Sequence, residues 1–358
     1  MNILLIRLRL IGDVVFTTPV IRALKRGLPD AHLAYLVERE SAAVVAGNPH
    51  LDEVIVVHRS RGLSRIVDDL RLAQQLRGRR FDIVIDMHGG PRSGWLTLAT
   101  GAAQRIGYAI PGRAWMYTHS VPRARELRPR HSVLNQWDLL QAIDGWAGGG
   151  PPDRVEDAVQ MAPDPRAERR VAERLAACGI DPRHELIVVH VSAGNPFRRW
   201  PERAFVRLIT ALASSPARRL ILSSGPSDRQ AADRIAEAAR AALGTSAASR
   251  VVDFGNFNLA ELRALVIRSG LFIGGDTGPL HVAATTATPV VGIFGPTLPE
   301  RSAPWRNPAY LTESVGVDGL PCRPCDQRTC EPGDFRCLTT LMPDDVLAAA
   351  ERLLTRTA

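Results

Sequence analysis

The stretch over residues 271–284, Leu-Phe-Ile-Gly-Gly-Asp-Thr-Gly-Pro-Leu-His-Val-Ala-Ala, constrains the fold of this chain most strongly. A short apolar run, two glycines, a carboxylate and then a helical pattern are how a buried strand ends and a helix begins. Asp276 is placed to cap that helix, whose first N–H groups and positive dipole end bind phosphate without a metal. Gly278 lets a ligand approach the backbone, and Thr277 and His281 share one helix face. The stretch predicts an anion-binding turn, and the plainer alternative is a turn that only redirects the chain.

The same succession of apolar runs and helical patterns recurs along all 358 residues. Such alternation predicts an α/β fold with parallel sheets covered by helices on both faces. A Gly- and Pro-rich stretch at residues 144–153 marks the best domain boundary. We therefore predict two Rossmann-like lobes, residues 1–150 and 151–342, with a ligand in the cleft between them, and a C-terminal helix over residues 343–358. Strands are predicted at residues 3–8, 33–37, 54–57, 81–86, 186–191, 220–223, 250–253, 271–273 and 290–294.

Polar residues follow two predicted strands of the first lobe. Asp13 comes after the first strand, at the sheet edge where α/β folds bind ligands, but it would serve equally as a helix cap. His88 and Arg92 lie in a Gly-containing loop after the fourth strand, which is either a substrate-binding loop or a structural one. The first turn lacks the G-x-G-x-x-G pattern, which argues against a dinucleotide.

Two further loops of the second lobe leave the same predicted sheet edge as the 271–284 stretch. Ser192 and Arg198 lie in the first of these loops, where an arginine can neutralise a diphosphate through two hydrogen bonds. The alternative is a solvated arginine. Asp228 follows the next strand, either as a ligand for ribose hydroxyls or as a helix cap.

The formal net charge is +8, and arginine carries almost all of the positive charge because Lys25 is the only lysine. This balance suits an anionic partner such as a nucleotide or an acidic glycolipid. Nucleic acid is not expected, since the basic clusters lack interleaved aromatic residues. No apolar run approaches the roughly 20 residues that span a bilayer, and the N-terminus does not resemble a signal peptide. A cytoplasmic location is the resulting expectation.

Four of the five cysteines lie close together near the end of the chain. Their spacing, C-x2-C-x4-C-x6-C, would allow four thiolates to hold Zn or Fe, although it is not a common finger pattern. Reduced packing cysteines and redox-active cysteines are the alternatives, and we expect no cofactor to be required. The residues are Cys322, Cys325, Cys330 and Cys337.

Three segments together resemble glycosyltransferase family 9, the heptosyltransferases of lipopolysaccharide core assembly. They are Ile11-Gly12-Asp13-Val14 with Pro19, Arg199-Trp200-Pro201, and residues 276–281. The resemblance implies a GT-B fold, with an acceptor-binding first lobe and a nucleotide-sugar-binding second lobe. It also implies an inverting, metal-independent transfer of L-glycero-D-manno-heptose from ADP-heptose to the inner core of lipopolysaccharide. The acceptor would be an anionic lipid A–core molecule, reached by peripheral contact with the inner face of the cytoplasmic membrane.

The resemblance assigns roles by position. Asp13 would be the general base, Thr277 and Gly278 would hold the diphosphate, and Asp276 and His281 would lie near the donor sugar. Ser192, Arg198 and Asp228 would complete the donor site. Independently of the resemblance, the first-lobe loop that carries His88 and Arg92 is the predicted acceptor-binding loop. The alternatives are a GT-B transferase with another nucleotide sugar or a protein acceptor, and a non-catalytic nucleotide-binding protein.

Overall fold

A computed structural model describes residues 1–58, 62, 64–123, 130–181, 183–252 and 254–356. The chain forms two compact units: unit 1 contains Met1–Ala162 with Trp305–Asn307, and unit 2 contains Pro163–Pro304 with Pro308–Ala358. The predicted end of one strand at residue 253 and the last two residues of the predicted C-terminal helix lie outside the described residues. In the part of the chain that is described, no helix is both long enough and apolar enough to cross a membrane.

Unit 1 is built on a parallel sheet of six strands in the order β3-β2-β1-β4-β5-β6. Its central strands are continuous apolar runs because helices cover both faces of the sheet, and residues 3–6 of β1 are completely buried. The strands are β1 (Asn2–Ile6), β2 (His32–Glu38), β3 (Glu53–Val57), β4 (Ile83–Asp86), β5 (Gln104–Tyr108) and β6 (His119–Val121). The helices are α1 (Ile11–Val15), α2 (Thr18–Gly27), α3 (Arg39–Ala42), α4 (Ser64–Gly78), α5 (Pro91–Thr100) and α6 (Ser132–Trp137).

The segment after the Gly- and Pro-rich stretch stays with unit 1. Arg22 donates hydrogen bonds to the carbonyl of Glu156 and to the side chain of Gln160. Arg26 forms an ion pair of 3.0 Å with the buried carboxylate of Asp157. The indole N–H of Trp305 donates to the carbonyl of Asp157 at 2.9 Å. Because of these contacts, unit 1 extends as far as Ala162.

Unit 2 repeats the architecture with a second parallel six-stranded sheet in the order β12-β11-β10-β7-β8-β9. The strands are β7 (Glu185–His190), β8 (Arg218–Ser223), β9 (Val251–Val252), β10 (Leu271–Gly275), β11 (Val290–Phe294) and β12 (Thr312–Gly316). The helices are α7 (Pro165–Ala177), α8 (Glu202–Leu212), α9 (Arg229–Leu243), α10 (Leu259–Ile267), α11 (Gly278–Ala283), α12 (Pro299–Ser302), α13 (Arg336–Thr339) and α14 (Pro343–Thr355). The predicted α/β class with two parallel sheets is confirmed.

Candidate active site

Three strands of unit 2 end side by side at the carboxyl edge of its sheet. Gly274 of β10 pairs with His190 of β7, and His190 pairs with Ser223 of β8. A Cβ atom on Gly274 would lie 3.1 Å from the Cβ of His190, so the glycine relieves crowding at this edge. The loops after these strands therefore start as neighbours. They carry the predicted residues Ser192, Arg198, Asp228, Asp276, Thr277 and Gly278.

Asp276 is a buried carboxylate at the centre of this edge, with 3% of its surface exposed. Nη1 of Arg198 donates to the Asp276 carbonyl at 2.7 Å and lies 3.3 Å from its Oδ2. Nε2 of His281 lies 3.4 Å from Oδ1, and the Thr297 hydroxyl donates to Oδ2. The prediction that Asp276 caps α11 is wrong, because Thr277 is the N-cap residue and no side chain caps the helix. The carboxylate pairs instead with the charged and polar groups that surround it.

The pKa of the Asp276 carboxyl lies below its ordinary value. Burial alone would raise this pKa, but the hydrogen bond and charge of His281, the charge of Arg198 and the hydrogen bond from Thr297 together outweigh it. Asp276 is therefore ionised at neutral pH and holds three side chains that come from different segments.

The backbone at the start of α11 is open to a ligand. Thr277 is extended, with φ −140° and ψ 171°, and its hydroxyl donates to the Gly275 carbonyl at 3.3 Å. Within the described residues, the amides of Thr277 and Gly278 donate to no protein acceptor. Two N–H groups and the adjacent Arg198 thus form a cluster of donors in unit 2.

Asp228 is held by a second polar cluster in the same unit. It is buried, and its Oδ2 accepts a 2.5 Å hydrogen bond from the Ser192 hydroxyl. Nη2 of Arg199 lies 2.9 Å from Oδ1. Asp228 occupies the N-cap position of α9, yet its side chain makes no capping hydrogen bond. The structure therefore brings Ser192 and Asp228 together and adds Arg199 as their partner.

A neutral histidine lies beneath this cluster. Nδ1 of His190 is 2.6 Å from the Ser223 hydroxyl, and both side chains are buried. Burial lowers the pKa of His190 to about 4, and the charge of Asp228 raises it only in part. The imidazole is therefore uncharged at physiological pH and serves as a hydrogen-bonding support for the strand ends.

In unit 1, Asp13 lies in the first turn of α1 and pairs with Arg7. Nη2 of Arg7 is 2.6 Å from Oδ2 of Asp13, and Nη1 donates to the Met87 carbonyl at 2.5 Å. The Arg7 side chain is 6% exposed, whereas that of Asp13 is 31% exposed. A buried guanidinium thus orients a carboxylate that solvent, and hence a substrate, can reach.

His88 belongs to the surroundings of this ion pair. Burial lowers its pKa to about 4, helped by the charges of Arg7 and Arg9, while Asp13 and the Arg9 carbonyl act in the opposite direction. The loop that carries His88 is fixed by Asp86, a completely buried carboxylate at the end of β4. Asp86 accepts hydrogen bonds from the amides of His88 and Gly89 at 2.9 Å. His88 is therefore neutral and lies in the electrostatic environment of Asp13.

Arg92 makes different contacts. Its Nε and Nη2 donate to Oδ1 of Asp69 at 2.9 and 2.7 Å, and its Nη1 donates to Oε1 of Glu38 at 3.0 Å. The Arg92 side chain is 13% exposed, so the guanidinium is committed to these two carboxylates. Two other arginines lie next to Gly89 of this loop: Arg113 donates to the Gly89 carbonyl at 3.1 Å, and Arg123, which stacks 5.1 Å from the Tyr108 ring, has its Nη1 3.6 Å from where a Cβ on Gly89 would lie.

The cysteine-rich segment of unit 2, residues 321–337, lines a cavity of about 330 Å³ together with Phe197. All five cysteines of the chain are described, and none is in a disulfide. Burial raises the pKa of Cys337 to about 11. Among the described residues, no three or more His, Cys, Asp or Glu side chains are arranged to hold a metal ion. The cavity is lined by Cys322, Cys325, Cys330 and Cys337.

Sequence reasoning missed several partners of the candidate residues. Arg7 interrupts an otherwise apolar strand, and a charge in such a place is a signal that a buried partner exists. Thr297 and Gln327 carried no local signal, because each acts on a residue from another segment. Arg199 lies in a segment that the sequence singles out, but its pairing with Asp228 could not be read from the sequence.

The model of glycosyltransferase family 9 (heptosyltransferase) matches residues 69–334 of the chain. Lipopolysaccharide heptosyltransferase 3 of Escherichia coli is 25% identical over 356 residues, which is 97% of each chain. Among solved structures, a family 9 glycosyl transferase from Veillonella parvula DSM 2008 has a TM-score of 0.84 and 22% identity, covering 99% of this chain and 97% of that one.

The E. coli ADP-heptose lps heptosyltransferase II is similar as well, with a TM-score of 0.76 and 19% identity over 100% of this chain and 99% of that one. The two parallel sheets described above agree with the fold of these neighbours. The family match extends over most of the chain and includes the unit 2 strand ends where the donor cluster is built. The protein therefore belongs to glycosyltransferase family 9, the heptosyltransferase family, and is a glycosyltransferase with the GT-B fold.

Proposed function

We propose that this enzyme transfers L-glycero-D-manno-heptose from ADP-heptose to the inner core of lipopolysaccharide, with inversion at the anomeric carbon and without a metal. The names of its relatives support the donor and the acceptor: a lipopolysaccharide heptosyltransferase matches 97% of the chain, and a structural neighbour is an ADP-heptose enzyme. The observation that carries the proposal is the hydrogen bonding of the Arg198 guanidinium. Two of its guanidinium nitrogens are anchored and the third is available to a ligand.

The donor half of the reaction needs positive groups for the departing diphosphate. Nη2 of Arg198 engages no protein acceptor among the described residues, and the side chain is 29% exposed. The amides of Thr277 and Gly278 lie in the loop whose Asp276 carbonyl anchors that guanidinium. Pre-oriented donors of this kind stabilise the charge that grows on the leaving group. We assign Arg198, Thr277 and Gly278 to the diphosphate, and Asp276 and His281 to the side of the site that faces the sugar.

The nucleotide half uses the second cluster of unit 2. Ser192 and Asp228 are hydrogen-bonded to each other, and the carboxylate also pairs with Arg199. A buried carboxylate held in this way is suited to accept hydrogen bonds from ribose hydroxyls. Because both carboxylate oxygens already have protein partners, ribose recognition here depends on the remaining lone pairs. This arrangement favours, as a second candidate, a family 9 transferase whose donor carries a different nucleotide.

The acceptor half requires a base. Asp13 is partly exposed, and the 2.6 Å contact with Arg7 holds its carboxylate in one orientation. We propose that its carboxylate takes the proton of the acceptor hydroxyl while the hydroxyl oxygen bonds to the anomeric carbon. The bond from that carbon to the diphosphate oxygen breaks on the opposite face, and ADP leaves with the electron pair. This single displacement inverts the anomeric configuration.

A metal is not needed in this scheme, because the residues present already supply its functions. A divalent cation at the diphosphate would require free oxygen ligands, which carboxylates commonly provide. The Asp276 carboxylate is instead engaged by Arg198, His281 and Thr297. The guanidinium and the amides supply the positive charge. Zinc or iron at the four cysteines stays a separate prediction, which elemental analysis of the purified protein would test.

The acceptor surface of unit 1 is basic. Arg113 and Arg123 lie at the Gly89 loop, and Arg9 contributes to the environment of His88. Guanidinium groups bind carboxylates and phosphates through paired hydrogen bonds. Such a surface suits an anionic lipid A–core acceptor, and we propose that the enzyme meets it by peripheral contact at the inner face of the cytoplasmic membrane.

The test is a donor screen with a heptose-free lipid A–core acceptor. ADP-heptose should give ADP and a heptosylated product with the anomeric configuration opposite to that of the donor, as read by NMR. Activity should persist in excess EDTA. Turnover with another nucleotide sugar but not with ADP-heptose would establish the second candidate. ADP binding with no turnover of any donor would reject an enzymatic role for Asp13.

A further inference from the structure

Gln327, in the cysteine-rich segment of unit 2, contacts Arg198 directly. Oε1 of Gln327 accepts a 2.7 Å hydrogen bond from Nε of Arg198 and a 2.9 Å hydrogen bond from Nδ2 of Asn195. Two donors from the loop after β7 thus converge on a single amide oxygen. Since Arg198 is 129 residues away in sequence, the contact joins two separate parts of the chain.

The backbone of Gln327 supports the importance of this contact. Its φ is +60°, in the left-handed region that favours glycine and asparagine over a long side chain. A glycine at this position would avoid that conformational cost but would also remove the oxygen that holds Arg198. The side chain therefore contributes something that the turn by itself does not require.

The same segment also supports the opposite side of the site. Nη2 of Arg323 donates to the Thr297 carbonyl at 2.8 Å, and the hydroxyl of Thr297 donates to Asp276. Phe335 packs edge-on against Phe197, with ring centroids 5.2 Å apart. The segment is thus attached to the Arg198 loop and to the neighbours of Asp276.

We propose that Gln327 is a positioning residue for the transfer reaction, acting through Arg198. Hydrogen bonds at Nε and Nη1 fix two corners of a planar guanidinium, so they fix the direction of the third nitrogen, Nη2. Without Gln327 the guanidinium is free to rotate about its remaining hydrogen bond to Asp276, and Nη2 no longer points towards the diphosphate. This inference rests on the proposed function, because it takes Arg198 to be the group that stabilises the leaving diphosphate.

The diphosphate carries more negative charge in the transition state than in the bound donor, so a misdirected guanidinium lowers kcat more than it weakens donor binding. Replacement Gln327→Met keeps the length and removes the acceptor oxygen. We expect it to lower kcat about tenfold, because misplacement of a catalytic group costs up to about a hundredfold. The KM for the donor should change less than about threefold.

The decisive experiment is a double-mutant cycle on kcat with Gln327→Met and Arg198→Ala. Arg198→Ala should lower kcat about a hundredfold, the usual cost of losing one charge-stabilising donor. If Gln327 acts through Arg198, adding Gln327→Met to Arg198→Ala should lower kcat no further. Arg328→Ala is the matched control, because this neighbouring side chain is 87% exposed and should leave kcat unchanged. Melting temperatures of all variants are recorded alongside, and Gln327→Gly, which relieves the backbone, replaces Gln327→Met if the latter does not fold.

The outcomes separate the two proposals. If Arg198→Ala keeps the wild-type kcat, the proposed role of Arg198 fails and the inference fails with it. If Arg198→Ala is impaired but Gln327→Met is not, only the inference is overturned. A loss from Gln327→Met that is equally large in the Arg198→Ala background would also overturn it, because the residue would then act by a route other than Arg198.

Discussion

Replacement of Asp276 by asparagine tests the centre of the unit 2 site. The substitution conserves volume and removes one negative charge that is 3% exposed. Nη1 of Arg198, Nε2 of His281 and the Thr297 hydroxyl all lie at the two carboxylate oxygens. An asparagine offers only one acceptor oxygen, so at least one of these groups would face an NH2 group instead. We therefore expect Asp276→Asn to lower the free energy of unfolding of unit 2.

The expected cost follows from these contacts. Breaking a buried ion pair costs about 3–5 kcal/mol, and a hydrogen bond to a charged group contributes about 1.5–3 kcal/mol. The Arg198 side chain is 29% exposed, so water compensates for part of its loss. We expect a decrease of about 2–3 kcal/mol in the free energy of unfolding, or roughly 5–10 °C in Tm for a domain of this size.

The pH dependence provides an independent check. The pKa of Asp276 is lower in the folded state than its ordinary value, so the ionised carboxylate stabilises the fold at neutral pH. That contribution is complete above the unfolded pKa of about 3.9 and is lost as the pH falls through the lower folded value. The stability difference between wild type and Asp276→Asn should therefore be full at pH 7 and shrink below about pH 4.

The assay is urea unfolding of both proteins at pH 7 and at several values between pH 3 and 5, with Asp326→Asn as the control. The Asp326 side chain is 66% exposed, so its replacement should change little. Equal stability of wild type and Asp276→Asn at pH 7 would refute the reasoning. So would a difference that is as large at pH 3 as at pH 7, because the effect would then not come from the charge.

Three further predictions concern the other ionisable groups. Asp13→Asn should reduce transfer about a thousandfold, within the range for loss of a general base, while ADP affinity measured by calorimetry stays unchanged; equal turnover would reject the assignment. Arg92→Ala should lower the free energy of unfolding by about 3 kcal/mol, because it removes the guanidinium that pairs with Glu38 at 3.0 Å and with Asp69 at 2.7 Å, two carboxylates that are largely shielded from solvent. The acceptor KM should not change, and a raised KM would instead place Arg92 at the acceptor. His190 should titrate near pH 4 by NMR. Between pH 6.5 and pH 4 the histidine takes up a proton in the unfolded state but not in the folded state, so the protein should lose stability as the pH falls through this range.

The central strands could be predicted from the sequence because parallel strands under two helical layers are continuous apolar runs. Residues 3–6 and 271–273 are completely buried, and both runs lie within predicted strands. Three strands are not predicted, and the reason is physical: β6 and β12 contain no fully buried residue, and β5 mixes polar and apolar residues. The residues of β12 are all partly or fully exposed, so no apolar run marks it. The apolar residues between positions 14 and 24 follow a single helical pattern, but the structure divides them between two helices: α1 ends at Val15 and α2 begins at Thr18.

The candidate site shows where local reasoning stops. An aspartate between a strand and a helix has the same sequence signature whether it caps the helix or binds a distant cation. At Asp276 the outcome is decided by Arg198, which is 78 residues away in the sequence. Its charge stabilises a buried carboxylate more strongly than the amides of a short helix can. Arg198 is in turn hydrogen-bonded to Gln327, which is 129 residues from Arg198 in the sequence. Types of residue at strand ends can therefore be predicted from sequence, but their pairing is set by tertiary contacts. In this enzyme that pairing anchors Nε and Nη1 of Arg198 and leaves Nη2 without a protein acceptor among the described residues.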